Sequence, residues 1–130
     1  MPGVLKNMAN VRVHYMRKAE YAKDWRGRVK LYVGQEMTRL GWRVAPEAPK
    51  RVTLVAHVAR TMDSGGLVRA LKPCEDGLTP DRFVTTKRGV QHYVGCGMLD
   101  DDAEARGHQF VRDQVVDRAR RGVQITVEIL

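Results

Sequence analysis

A strand that runs directly into an aspartate, a glycine pair and a helix constrains the fold of this chain more than any other feature. From Arg51 to Arg60, apolar residues fall on one side of an alternating pattern, which is typical of a half-buried strand. Asp63 and the pair Gly65-Gly66 follow, and from Leu67 apolar residues recur at helical spacing. The end of a rigid strand fixes a carboxylate, while the turn after it leaves that carboxylate accessible. The pattern therefore predicts a polar site where this strand ends.

The other patterns predict a single domain over residues 1–130 with an α/β fold of the α+β type. We expect a small mixed sheet of about four strands with two main helices packed on it. Pro73 is expected to bend or restart the second helix, because proline lacks the backbone donor that a helix interior needs. The remaining predicted elements are a helix over Ala19–Leu40, a hairpin within 79–98 and two paired strands at Gln109–Val116 and 123–129.

Positive charge is concentrated in the first half of the chain. The formal net charge is +8, and residues 1–60 carry 13 Lys and Arg against 4 Asp and Glu. A basic surface attracts the phosphates of nucleic acid. Nucleic-acid binding is therefore expected, although a plain solvated surface would have the same composition.

Acidic residues cluster in the second half, most densely at Asp100-Asp101-Asp102. Three adjacent carboxylates repel one another unless a cation or a proton intervenes. A divalent metal would offset that repulsion, so the triplet is a candidate metal site. The alternative is a solvated acidic loop.

The sequence argues against several other classes of protein. No apolar run approaches the roughly 18 residues that span a bilayer, so we expect no membrane association and a cytoplasmic location. A zinc module built from Cys74, His92, Cys96 and His108 is a remaining alternative, but these spacings match no compact finger. In a reducing compartment the two cysteines would be unpaired thiols.

Three short motifs lie along the chain: Asp63-Ser64-Gly65-Gly66-Leu67, Lys72-x-x-x-Asp76-Gly77-Leu78 and Leu99-Asp100-Asp101. They resemble the motifs of the RusA family of Holliday-junction resolvases, which is common in phages and prophages. The resemblance runs from the first helix to the C-terminus. It implies a homodimeric, Mg²⁺-dependent endonuclease that resolves four-way junctions and other branched DNA in recombination and repair, with Mn²⁺ as a possible substitute.

The resemblance also implies roles for single residues. Asp63 matches the first aspartate of the family's Asp-x-Asp-Asn motif, and Asp100 and Asp101 match its Asp-Asp pair, so these three would be the catalytic metal ligands. Either Arg69 or Lys72 matches the catalytic helix lysine, and Lys72 fits the spacing better. The basic residues expected to contact DNA are Arg17, Lys18, Arg69, Lys87 and Arg88.

The chain departs from the family pattern inside the first motif. Gly65 and Gly66 stand where the family has its second aspartate and its asparagine. Mg²⁺ is often held by one or two carboxylates plus water and phosphate, so the remaining aspartates could still bind one ion. The alternative function is a catalytically impaired protein of the same fold that binds branched DNA.

Overall fold

The structure is a computed structural model that describes residues 15–101 and 107–130, with side chains described from residue 19 onward. It confirms the α+β class: two helices pack with a three-stranded sheet, and a two-stranded hairpin lies apart from that sheet. The elements in chain order are α1 (Tyr15–Leu40), β1 (Lys50–Val58), α2 (Ser64–Asp76), β2 (Arg82–Thr86), β3 (Gly89–Tyr93), β4 (Gln109–Val116) and β5 (Gly122–Ile129).

β1 is the central strand of the sheet, whose order is β4-β1-β5. It pairs in parallel with β4 and antiparallel with β5. The prediction that the two closing strands pair with each other is therefore wrong, and the sheet has three strands rather than about four. The physical reason lies in β1, whose Val52, Leu54 and Ala56 are fully buried. The strand that contributes most to the core takes the position with neighbours on both sides.

The core lies between this face of β1 and the two helices. α2 contributes Leu71 and Cys74, both fully buried, and α1 contributes Trp25 and Val29. Burial raises the pKa of the Cys74 thiol to about 12, and neither Cys74 nor Cys96 forms a disulfide. Since Cys74 is a neutral core residue, it packs like a small apolar side chain.

Both helices begin earlier than the sequence predicts. α1 begins at Tyr15 rather than at Ala19, and residues 11–14 lie outside the described part of the chain. Met, Arg, Lys, Ala and Glu all favour a helix here. α2 begins at Ser64 and continues through Pro73, which is buried. Packing of this apolar face offsets the hydrogen bond that the proline removes.

The predicted hairpin is confirmed as β2 and β3, with its turn at Lys87 and Arg88. Its base is fixed to α1 through Asp81, which accepts hydrogen bonds of 2.9 Å from Nζ of Lys30 and 2.8 Å from the backbone N–H of Gly95. These two donors lower the pKa of Asp81 to about 2. The base of the hairpin is therefore held against α1, and Lys87 and Arg88 at its turn are exposed.

Within the described ranges, neither helix has the length and hydropathy required to cross a membrane.

Candidate nucleic-acid interface

Asp63 is the N-cap of α2. Its backbone is extended, with φ −66° and ψ 164°, and Oδ1 accepts a hydrogen bond of 2.5 Å from the N–H of Gly66. This contact satisfies one of the backbone donors that every helix leaves unpaired at its N-terminus. The carboxylate is also exposed at the end of the segment that follows β1. Asp63 thus has a structural role that is independent of any metal.

Two substitutions separate the capping role of Asp63 from its charge. We expect Asp63→Ala to lower the free energy of unfolding by roughly 0.5–2 kcal/mol, because the N-cap hydrogen bond is lost. Asp63→Asn should keep most of that stability, since asparagine caps helices as well as aspartate does. Urea denaturation of the two variants measures the difference. Equal destabilisation by both variants would contradict the capping role.

Of the two candidate cations on α2, Arg69 and Lys72, Arg69 lies nearer to the end that Asp63 caps. A Cβ atom at Gly65 would be 3.5 Å from Nη1 of Arg69, so the guanidinium folds back over the first turn of the helix. Lys72 lies further along, with Nζ 3.2 Å from Oδ1 of Asp76. The forked arginine side chain therefore reaches the end of the helix that Asp63 caps, whereas the lysine pairs near the opposite end. The preference for Lys72 as the catalytic cation stays a prediction.

The connection between β4 and β5 crosses the end of β1 and brings more arginines to this place. The N–H of Asp117 donates to the carbonyl of Val58 at 2.9 Å, and Nε of Arg118 donates to the carbonyl of Ala59 at 3.3 Å. Five arginines lie near the C-terminal end of β1 and the N-terminal end of α2, and all five are exposed. We call them the basic edge: Arg60, Arg69, Arg118, Arg120 and Arg121.

His57 and Asp117 fix this connection to β1. Nδ1 of His57 lies 3.4 Å from Oδ2 of Asp117, and Oδ1 of Asp117 accepts the N–H of Arg120 at 3.1 Å. The backbone N–H of Arg120 is the main reason that the pKa of Asp117 is lowered. His57 therefore has a partner in Asp117 and a positioning role.

Asp100 and Asp101 lie in a different environment. The N–H of Asp100 donates to the carbonyl of Pro46 at 3.2 Å, and Oδ1 accepts a hydrogen bond of 2.8 Å from Nε2 of the buried His108. The hydrogen bond from His108 is the main cause of the lowered pKa of Asp100. The third residue of the triplet, Asp102, lies outside the described residues.

α2 separates Asp63 from this acidic pair. Asp63 caps its N-terminus, whereas the N–H of Leu99 donates to the carbonyl of Leu78, just beyond its C-terminus, at 3.0 Å. A helix of 13 residues is roughly 20 Å long at about 1.5 Å per residue. The predicted site of Asp63, Asp100 and Asp101 is therefore not assembled within one chain.

The sheet gives an independent measure of the same separation. Near Asp63, the N–H of Met62 donates to the side chain of Gln114, which pairs with Ala56 in the sheet. Near Asp100, its partner His108 directly precedes Gln109, which pairs with Arg51. Five residues of strand span roughly 16 Å. Across the described ranges, no three His, Cys, Asp or Glu side chains are grouped so that they could hold a metal ion.

The alternative zinc site is not assembled either. Cys74 is in the core, and Sγ of Cys96 lies 3.7 Å from the carbonyl of Leu78. His92 faces Asp81 on the hairpin, while His108 is bonded to Asp100. The four side chains that the zinc alternative needs are thus committed to separate contacts.

The predicted DNA-contacting residues are spread over three places. Arg69 belongs to the basic edge, and Lys87 and Arg88 are exposed at the turn of the hairpin. Arg17 and Lys18 lie in the first turn of α1, where side chains are outside the description. The predicted residues did not include the basic run at 118–121, because its position beside Asp63 follows from the strand order.

No protein-family model, curated protein or solved structure matches this chain. The fold and the interface define a small α+β protein with a basic edge beside an exposed aspartate. The resemblance to the RusA family accordingly rests on the three sequence motifs alone.

Proposed function

We propose that this protein is a Mg²⁺-dependent endonuclease that binds and cuts branched DNA, such as four-way junctions, as a homodimer. The observation that supports the proposal is the cluster at the end of β1, where exposed Asp63 lies at the same end as Arg69 and the other arginines of the basic edge. A carboxylate among several guanidinium groups suits a phosphate with a cation beside it.

The basic edge would supply the binding energy without reading sequence. Arginine side chains form paired hydrogen bonds with phosphate oxygens, and each neutralised phosphate releases counterions. Binding is therefore expected to weaken steeply with salt and to depend little on base sequence. This behaviour matches a protein that recognises the shape of a DNA branch.

The active site needs two copies of the chain. Asp63 and the pair Asp100-Asp101 lie at opposite ends of α2, so the residues of a single chain do not fit one shared Mg²⁺. In a two-fold dimer that brings Asp63 of one copy near the acidic pair of the other, symmetry would create two such sites. Two equivalent sites would match two symmetric cuts in a four-way junction.

A second candidate function is branched-DNA binding without cleavage. It is favoured by Gly65 and Gly66, which stand where the RusA family motif has a second aspartate and an asparagine. It is also favoured by the N-cap hydrogen bond of Asp63, which gives that residue a role without a metal. In this case the basic edge would keep its function while the acidic pair served only in contacts such as that with His108.

One assay on a synthetic four-way junction decides between these functions. We expect binding in EDTA and two symmetric cuts after addition of Mg²⁺ or Mn²⁺, and no cuts by Asp101→Asn, which should still bind. Binding with no cleavage in either metal would favour the second function. Cleavage by Asp101→Asn at the wild-type rate would remove Asp101 from the site, and absence of junction binding would contradict both functions.

Restoring a carboxylate at Gly65 is expected to increase cleavage. A Cβ at this position meets only the side chain of Arg69, at 3.5 Å, so aspartate fits in the first turn of α2. Removing a helical glycine and adding a negative charge near the N-terminus should also stabilise the protein by roughly 0.5–1 kcal/mol. Junction cleavage and thermal denaturation of Gly65→Asp measure the two effects, with Gly65→Asn as the uncharged control. Lower stability of both variants would contradict the open space that the structure shows around a Cβ at residue 65.

A further inference from the structure

The outward face of the hairpin carries an exposed aromatic ring. Phe83 and Val90 are 69% and 67% exposed, and the register places Phe83 opposite His92. The rings of Phe83 and His92 are stacked, with centroids 4.4 Å apart and planes 14° from parallel. One face of the phenyl ring therefore rests on a flat support, and the residue remains mostly in solvent.

The opposite face of the hairpin accounts for its attachment to the body. Tyr93 lies 4.5 Å from the guanidinium of Arg26 on α1 and 5.1 Å from that of Arg82. Asp81 holds the base of the hairpin through Lys30 and Gly95. Phe83 takes no part in these contacts, because adjacent residues in a strand point to opposite faces. Its exposure is thus not required to hold the hairpin in place.

The charges on the hairpin favour a polyanion as the partner of this face. Residues 82–93 contain Arg82, Lys87 and Arg88 and no aspartate or glutamate. The nearest carboxylate, Asp81, is engaged by Lys30 and lies 3.4 Å from His92. An exposed aromatic ring flanked by cations is the arrangement that binds single-stranded nucleic acid, where bases stack on rings and cations follow the backbone.

We propose that the β2–β3 hairpin binds unpaired nucleotides, with a base stacked on Phe83 and the adjoining phosphates held by Lys87 and Arg88. A base inside a duplex is already stacked on both sides, so the ring selects single strands and the opened centre of a branch. The inference rests on the proposed function, because it adds recognition of the branch centre to the duplex contacts of the basic edge.

The test compares three DNA probes with four variants of the full-length protein. The probes are a single-stranded oligonucleotide, a duplex of the same sequence and a four-way junction, each titrated by fluorescence anisotropy. Stacking on one aromatic side chain contributes roughly 1–3 kcal/mol per base, so we expect Phe83→Ala to weaken single-strand binding by about tenfold. Phe83→Leu, which keeps apolar area but removes the ring, should have a similar effect. Phe83→Tyr should bind like the wild type, as should Val84→Ala on the opposite face.

The duplex probe makes the outcomes distinguishable. Duplex affinity should change by less than about twofold in every Phe83 variant, because an intact duplex presents no exposed base face. Wild-type affinity of Phe83→Leu for single strands would overturn the proposal, and so would an equal loss on single strands and duplex. If the wild type binds none of the three probes, the proposed function fails as well.

A second copy of this chain as the partner for this face would give a different result. In that case the Phe83 variants would change the sedimentation coefficient of the protein and leave all three DNA affinities unchanged, which overturns the proposal. Circular dichroism should show no loss of structure in any variant, because Phe83 is mostly exposed. Lys87→Ala tests the proposed phosphate contact. We expect it to weaken single-strand binding and to reduce the salt dependence of that binding.

Discussion

Arg112→Met is expected to lower the free energy of unfolding by about 3–5 kcal/mol, since it leaves the carboxylate of Glu75 buried without a counter-charge. Glu75 lies on α2 and is only 1% exposed, and Arg112 on β4 donates to both of its oxygens, at 2.9 and 2.7 Å. This paired contact joins the helix to the sheet. Urea denaturation at neutral pH measures the loss.

A double variant provides the control for this ion pair. Glu75→Met combined with Arg112→Met removes both charges, and we expect it to be more stable than Arg112→Met alone, because an apolar pair does not need a partner ion. Arg51→Ala breaks an exposed pair with Glu128, 3.4 Å long, and should change stability by less than about 1 kcal/mol. Similar losses for Arg112→Met and Arg51→Ala would contradict the role of the buried pair.

A mixture of two inactive variants is expected to regain junction cleavage. If each site takes Asp63 from one copy and Asp101 from the other, Asp63→Asn and Asp101→Asn homodimers each have two defective sites. Random exchange of subunits gives heterodimers in which one site has both aspartates, so about a quarter of all sites should recover. The asparagine at residue 63 keeps the helix cap, so loss of cleavage by that variant reflects loss of charge.

The pattern of cuts gives a second measurement on the same mixture. A heterodimer with one intact site should nick one strand of the junction rather than make two symmetric cuts, which a denaturing gel distinguishes. A protein that carries both substitutions should be inactive when it is tested alone. If both variants alone are inactive and their mixture stays inactive after exchange, the shared site between copies is contradicted.

The local parts of the fold could be predicted because they depend on short patterns. The alternation of Val52, Leu54 and Ala56 identified the buried face of β1, and the basic turn at Lys87 identified the hairpin. The strand order could not be predicted in the same way. β4 and β5 are close in sequence and look like partners, but burial of β1 on its apolar face places it between them.

The candidate site shows the same limit. Residue types and spacing pointed to Asp63, and its place at the start of a helix followed from the glycines after it. The relation between Asp63 and Asp100 depends on the direction in which α2 crosses the sheet, and no spacing in the sequence reports that direction. Whether Arg69 or Lys72 lies nearer to Asp63 likewise depends on which side chain folds back along the helix.

The two ends of the segment that carries the hairpin meet. The N–H of Gly97 donates to the carbonyl of Thr79 at 3.1 Å, and a side chain at residue 95 would collide with that same carbonyl. The hairpin strands within residues 82–93 could therefore be excised and replaced by a short link, while Cys96 keeps its place against the core. Residue 95 tolerates little change, while the protruding part can be lengthened, shortened or exchanged as a module.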